Sequence, residues 1–255
     1  VAVVWWRWPA TVAPPGEPYA CGSQATGFRF SAQSGGSVAC GGSNVPEGVL
    51  PVGGVLDTGT HQAKLAIANI GSAELGAQTR VRLDRTSPER HQLFLERGRM
   101  HARVTAPPRI FAVGTPGAHV TDLGCEYTLE IDETGAGSIV VQSGKVELES
   151  GTGGVVVVPA GTHARLLAGR RAGLPLITGA NAALVAAVAD YENGAADGIA
   201  RVLAAANPED AITVVSLAEI VPVAGKRAVL VRLAELSPAP QKLTIDEALS
   251  DRALF

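Results

Sequence analysis

The sequence predicts a mostly β protein, antiparallel and sandwich- or solenoid-like, followed by a small α-helical C-terminal domain. Three observations carry this. Many short segments alternate apolar and polar residues, the mark of strands with one buried and one wet face. Thirty Gly and sixteen Pro in 255 residues place turn signals between those segments. Beyond residue 178 the apolar residues change to helical spacing. Hydrophobic residues make up 46% of the chain but aromatic residues only 4%, so burial falls mainly to Val, Leu, Ile and Ala.

Residues 1–8 read Val1-Ala2-Val3-Val4-Trp5-Trp6-Arg7-Trp8 and precede Pro9. An apolar run ending in clustered Trp matches the outer end of a transmembrane helix, because the indole ring prefers the membrane interface. Trp5, Trp6 and Trp8 are therefore the expected membrane-interface residues. The run falls short of the roughly 20 apolar residues of a full span. The alternative is an aromatic N-terminal strand or a tag remnant.

Residues 9–60 are rich in Pro, Gly and Ser and read as a wrapping segment with one or two short strands, such as Gly27–Ser31. Cys21 and Cys40 bracket a polar stretch, which fits either a loop closed by a disulfide or two unrelated thiols. Cys125 reads as a small buried hydrophobe.

Residues 61–172 form the expected β domain. Its strands are read at 64–70, 80–84, 92–96, 99–104, 110–113, 119–123, 127–131, 138–142, 145–149 and 155–158. Turns fall at Arg97-Gly98, Thr115-Pro116, Gly135-Ala136-Gly137, Ser143-Gly144 and Ala160-Gly161. Gly98, Gly144 and Gly161 are placed where hairpin turns need positive φ. Thr115-Pro116 ends a strand, because Pro cannot donate to the ladder.

The boundary is expected near Gly173-Leu174-Pro175. The helical tail covers 178–255. Asn193-Gly194 splits a first Ala-rich stretch into two helices, and Asn207-Pro208 starts another with Asn as N-cap and Pro at the first helical position. That helix runs to Ile220, a further one covers 224–236, and Thr244-Ile245-Asp246-Glu247 caps a last short helix.

Chemistry-bearing constellations are missing from this pattern. The five histidines, His61, His91, His101, His119 and His163, are scattered and read as surface or loop imidazoles, although His101 and His119 could face the same way. No Cys/His spacing suits zinc. No nucleophile elbow, metalloprotease helix or phosphate loop occurs. Asp122, Glu126, Glu130 and Asp132 read as solvated strand faces; a glycosidase would need a facing pair and aromatic platforms. A net charge of −3 without a basic patch argues against nucleic acid. No cofactor, metal or catalytic residue is expected, and a non-enzymatic, protein-binding role is.

Five runs taken in order resemble one known family. They are Leu95-Glu96-Arg97-Gly98-Arg99-Met100-His101-Ala102, Phe111-Ala112-Val113-Gly114-Thr115-Pro116-Gly117, Asp122-Leu123-Gly124-Cys125-Glu126-Tyr127, Val140-Val141-Gln142-Ser143-Gly144-Lys145-Val146-Glu147, and Val158-Pro159-Ala160-Gly161. Together, over about Leu65 to Ala168, they resemble the FecR family, with Gly98, Phe111, Thr115, Pro116, Asp122, Leu123, Gly124, Cys125, Tyr127, Gly144 and Gly161 as structural motif positions. The resemblance implies a periplasmic β domain on the outer side of the bacterial inner membrane, anchored by a single span. A cytoplasmic arm would bind a sigma factor while the β domain senses a partner protein. That arm is expected to lie outside this chain. The helical tail stands where iron-uptake members carry an α/β secretin/TonB-type module, which speaks against iron signalling. Two other readings remain: an accessory structural subunit of a large respiratory or photosynthetic membrane complex, and an extracellular polysaccharide-acting enzyme.

Overall fold

A computed structural model describes residue 21 and residues 26–151, 154–237 and 244–250. Trp5, Trp6 and Trp8, and the anchor segment read around them, lie outside the described residues. Among those described, seventeen strands precede five α-helices.

The strands are β1 (Gly27–Ala32), β2 (Val38–Cys40), β3 (Ser43–Val45), β4 (Glu47–Pro51), β5 (Val55–Asp57), β6 (Ala63–Ile67), β7 (Gly71–Leu75), β8 (Arg80–Ser87), β9 (Arg90–Val104), β10 (Phe111–Gly114), β11 (Ala118–Asp122), β12 (Glu126–Ile131), β13 (Gly137–Ser143), β14 (Lys145–Ser150), β15 (Val155–Pro159), β16 (Thr162–Leu166) and β17 (Leu176–Ile177). Their pairing builds two layers. One runs β4-β1-β6-β7-β9-β12-β13-β16-β17. The other runs β3-β2-β5-β8-β9-β10-β11-β14-β15. All these pairings are antiparallel except β9 with β10. Inward side chains from both layers meet in one core that includes Leu65, Leu83, Leu93, Met100, Phe111, Tyr127, Leu129 and Leu148.

β9 belongs to both layers. Residues up to Arg97 pair with β8, and Gly98 onward pairs with β12. The change happens at Gly98, whose φ is 94°. A Cβ there would lie 2.4 Å from Thr79 Cα, so both the turn of the backbone and the close approach require glycine. Gly98 was expected to close a hairpin between two strands. It instead redirects one fifteen-residue strand from one layer to the other.

Gly144 and Gly161 need the same correction. Both have positive φ, 71° and 80°, as expected, but the strands on either side of each are not paired with each other. Gly144 carries the chain from β13 to β14, and Gly161 from β15 to β16, each a corner between layers. Hairpins and corners thus alternate along the chain: β10–β11, β12–β13, β14–β15 and β16–β17 are hairpins on alternating layers.

The β fold also starts earlier than expected. The Gly/Pro/Ser-rich segment holds five strands, of which β1 pairs with both β4 and β6. The strand read at 64–70 ends at Ile67, turns through Ala68 at φ 44°, and returns as β7.

The tail contains α1 (Ala182–Glu192), α2 (Gly198–Ala205), a 3-10 turn at Pro208–Asp210, α3 (Ala211–Ile220), α4 (Val223–Leu236) and α5 (Ile245–Ser250). The Asn181 side chain accepts from the Leu184 amide at 2.8 Å and donates to Ala205 O at 3.2 Å, so one residue caps α1 and ties it to the end of α2. Arg232 of α4 donates to Leu203 O and Ala206 O, satisfying carbonyls that α2 leaves open. These helices have their own core, which includes Leu174, Leu176, Leu184, Val188, Val202, Leu217 and Val229. The joint at 172–176 is fully buried, so the tail is docked through it.

Candidate functional site

The eleven motif positions build the frame. Phe111 and Tyr127 are buried in the core, and Leu123 is half-buried. The Thr115 hydroxyl donates to Ala118 O and accepts from Ala118 N, which closes the turn that exposes Pro116. Asp122 caps the next corner. Its carboxylate accepts from Gly124 N at 2.6 Å and from Cys125 Sγ at 2.6 Å, while Gly124 adopts φ 88°. Burial pushes the Asp122 carboxyl up, against the pull of those two hydrogen bonds. Burial likewise pushes the Cys125 thiol up, reinforced by Asp122. A thiol so held is not a nucleophile.

Two expectations change here. Asp122 is not on a solvated face; it is 1% exposed and points inward from β11. Glu126 and Glu130 sit on β12 in the other layer, so the acidic residues form no cluster. Cys125 is buried as expected, but its Sγ–H is committed to a carboxylate, which an ordinary apolar residue would leave unpaired.

Cys21 and Cys40 form a disulfide, with Cα atoms 5.8 Å apart. Cys40 lies on β2, while the Cys21 carbonyl lies beside Gly48 of β4. The bridge therefore links the two layers at the N-terminal end of the sandwich.

The outer faces carry charge ladders. On one, Asp57 of β5 pairs with Arg80 of β8 and Arg97 of β9, and Glu96 pairs with Arg80. Arg82 stacks over Phe94 at 4.8 Å. On the other face, His101 bridges Thr128 Oγ1 at 3.0 Å and Glu126 Oε1 at 3.1 Å, and Arg103 donates to the same Glu126 oxygen at 2.7 Å. A hydroxyl–imidazole–carboxylate chain has the connectivity of a hydrolase triad. The surroundings differ: Thr128 is 6% exposed and already accepts from Gln142 Nε2. It is a cross-strand polar ladder.

His101 and His119 lie in different layers and do not face one site. His91 is buried beside Phe28 and shares a hydrogen bond with Thr86, so it is a core residue and not a surface imidazole. His119 is pushed down to about 4, first by burial and then by the Arg90 charge. Among the described residues no group of three or more His, Cys, Asp or Glu side chains could hold a metal ion. No helix among them is long and apolar enough to cross a membrane.

The polar joint between sandwich and tail had no counterpart in the sequence reading. Glu192, in the last turn of α1, is 2% exposed and accepts from Leu174 N at 3.2 Å. Its other oxygen faces Arg165 of β16 at 3.3 Å. Thr213 of α3 donates to Pro175 O at 2.6 Å.

No curated protein matches the chain. Two crystal structures described as a "putative anti-sigma factor" from Parabacteroides distasonis ATCC 8503 are similar at 18% identity, with TM-scores of 0.43 and 0.42. The matches cover 52% and 51% of this chain, and 63% and 61% of the solved chains, less than two thirds of their length. Residues 55–147 match the family described as FecR protein. That stretch runs from β5 to the middle of β14 and takes in the shared strand β9 and the Asp122 corner; the last run of the sequence resemblance, Val158 to Gly161, lies beyond it. The stretch that matches the FecR family is set inside a larger two-layer sandwich.

Proposed function

We propose that this chain is the extracytoplasmic, partner-binding part of a membrane-anchored sigma-factor regulator, and that it acts without catalysis. The FecR match over 55–147 carries this reading. The site chemistry is in keeping with it: the motif residues serve turns and core, the one triad-like chain is internally satisfied, and the outer faces offer charged ladders. The disulfide fits an oxidising compartment such as the periplasm. Trp5, Trp6 and Trp8 would mark the membrane side.

Binding would use an outer face or a strand edge. At the C-terminal end of the sandwich α3 packs against β15 and the 3-10 turn against β17, the strands that end the two layers. Strand addition would then use the opposite end, where β3 and β4 are the outermost strands among the described residues.

The test is purification of the protein carrying this chain from its native membranes, with partners identified by mass spectrometry. A sigma factor or an outer-membrane receptor is the expected recovery. A stoichiometric set of respiratory or photosynthetic subunits would overturn the reading in favour of a structural subunit.

A further inference from the structure

Glu192 is placed where a carboxylate is poorly accommodated. Its side chain is 1% exposed, at the C-terminal end of α1, where the helix macrodipole disfavours negative charge. One oxygen accepts a single backbone hydrogen bond from Leu174 N, and the other makes no hydrogen bond and meets Arg165 only at 3.3 Å. A buried carboxylate needs close pairing and several donors to offset its lost hydration. Glu192 has one of each, both imperfect.

The position gives this defect a consequence. Arg165 belongs to β16, Leu174 to the buried joint and Glu192 to the first tail helix, so a single carboxyl group touches all three parts of the contact between sandwich and tail. Gly173 packs so tightly on β16 that an added Cβ would lie 2.2 Å from Arg165 O. The other charges nearby are already engaged. Arg171 stacks over Tyr191 at 4.7 Å, Arg170 reaches Asn193 O at 3.4 Å, and Asp190 pairs with Arg201 of α2. From the packed elements, Arg165 is the charge that faces Glu192.

We propose that Glu192 is a pH-sensitive latch between the β-sandwich and the helical tail, holding the tail docked when protonated and weakening the dock when it ionises.

The balance of forces sets the direction. Burial raises the carboxyl, and the opposing pull of Arg165 and the Leu174 amide only partly offsets it, leaving Glu192 at about 7 against an ordinary 4.5. Docking therefore takes up a proton across neutral pH. Between pH 5.5 and 8.5 the docking equilibrium should fall on the order of thirtyfold. An extracytoplasmic regulator would then carry, in its own joint, a response to the acidity of its surroundings.

The experiment uses the full chain. The carboxyl carbon shift of Glu192 is followed by NMR from pH 5 to 9, and amide exchange in α1–α4 is measured at both ends of the range, corrected for the intrinsic effect of pH. A Glu192 midpoint near 7, with tail protection lost at high pH and this loss abolished in Glu192→Gln, is the expected result. A midpoint near 4.5, or the same pH profile in Glu192→Gln as in the unaltered chain, overturns the latch. Should Glu192→Gln fail to fold, Arg165→Met serves instead: removing the offsetting cation should move the midpoint above that of the unaltered chain, and an unmoved midpoint contradicts the proposal.

Discussion

The two ends of the sandwich are secured by different chemistry. At the N-terminal end the Cys21–Cys40 bridge ties β2 of one layer to the region of β4 in the other, beside strands only three residues long. At the C-terminal end the outermost strands are covered by a helical tail with its own core, held through a buried joint and one ill-matched charge pair. The first closure is covalent and depends on redox state. The second is non-covalent and contains a group that titrates near neutrality. Between them lies the stretch that matches the FecR family, where β9 crosses from layer to layer and needs neither device. The ends of a sheet must be managed in any β protein; here one end is stapled and the other is capped.

The largest effect should come from the middle, which belongs to neither end. Gly98→Val places a β-branched residue at φ 94° against Thr79 and should cost about 3 kcal/mol, unfolding the protein cooperatively in urea. An unchanged urea midpoint would contradict this role of Gly98. Opening the disulfide should come next. In a chain-entropy view, closing a loop of this length is worth about 3 kcal/mol, and native strands retained around it reduce the loss. The expected result is lowered amide-exchange protection in β1–β4, with tail protection unchanged. Asn181→Ala removes a cap and a link to α2, and should cost about 1 kcal/mol, confined to the tail in amide exchange. The smallest effect belongs to the outer ladders. Arg99 and Glu130 are both largely exposed at 3.5 Å, so Arg99→Ala should change stability by less than about 0.5 kcal/mol. Binding of a partner to that face would be read in the same variant as a loss of affinity without a loss of stability.

Elements whose signals are local were readable from the sequence. The alternation in Arg80–Asp84 and Tyr127–Ile131, the Asn193-Gly194 break and the Asn207-Pro208 start all correspond to features of the structure. The short strands β2 and β3 were not readable, because three residues carry no period. Gly98, Gly144 and Gly161 showed their positive φ but not their role, since hairpin and corner differ only in which strand the next segment pairs with. Two signals were present and misread. The alternation that sends Ala118 and Val120 inward also sends Asp122 inward, and the one that buries Leu93 and Leu95 also buries His91. Glu192 gave no signal at all: its burial depends on β16 and the joint folding back over the end of α1.

The most direct test of the central claim is amide exchange across the whole chain at pH 5.5 and 8.5, with and without reductant. Reductant should lower protection in β1–β4 only, pH 8.5 should lower protection in α1–α4 only, and β8–β12 should hold under all four conditions. Loss of protection at both ends under either single treatment would contradict it.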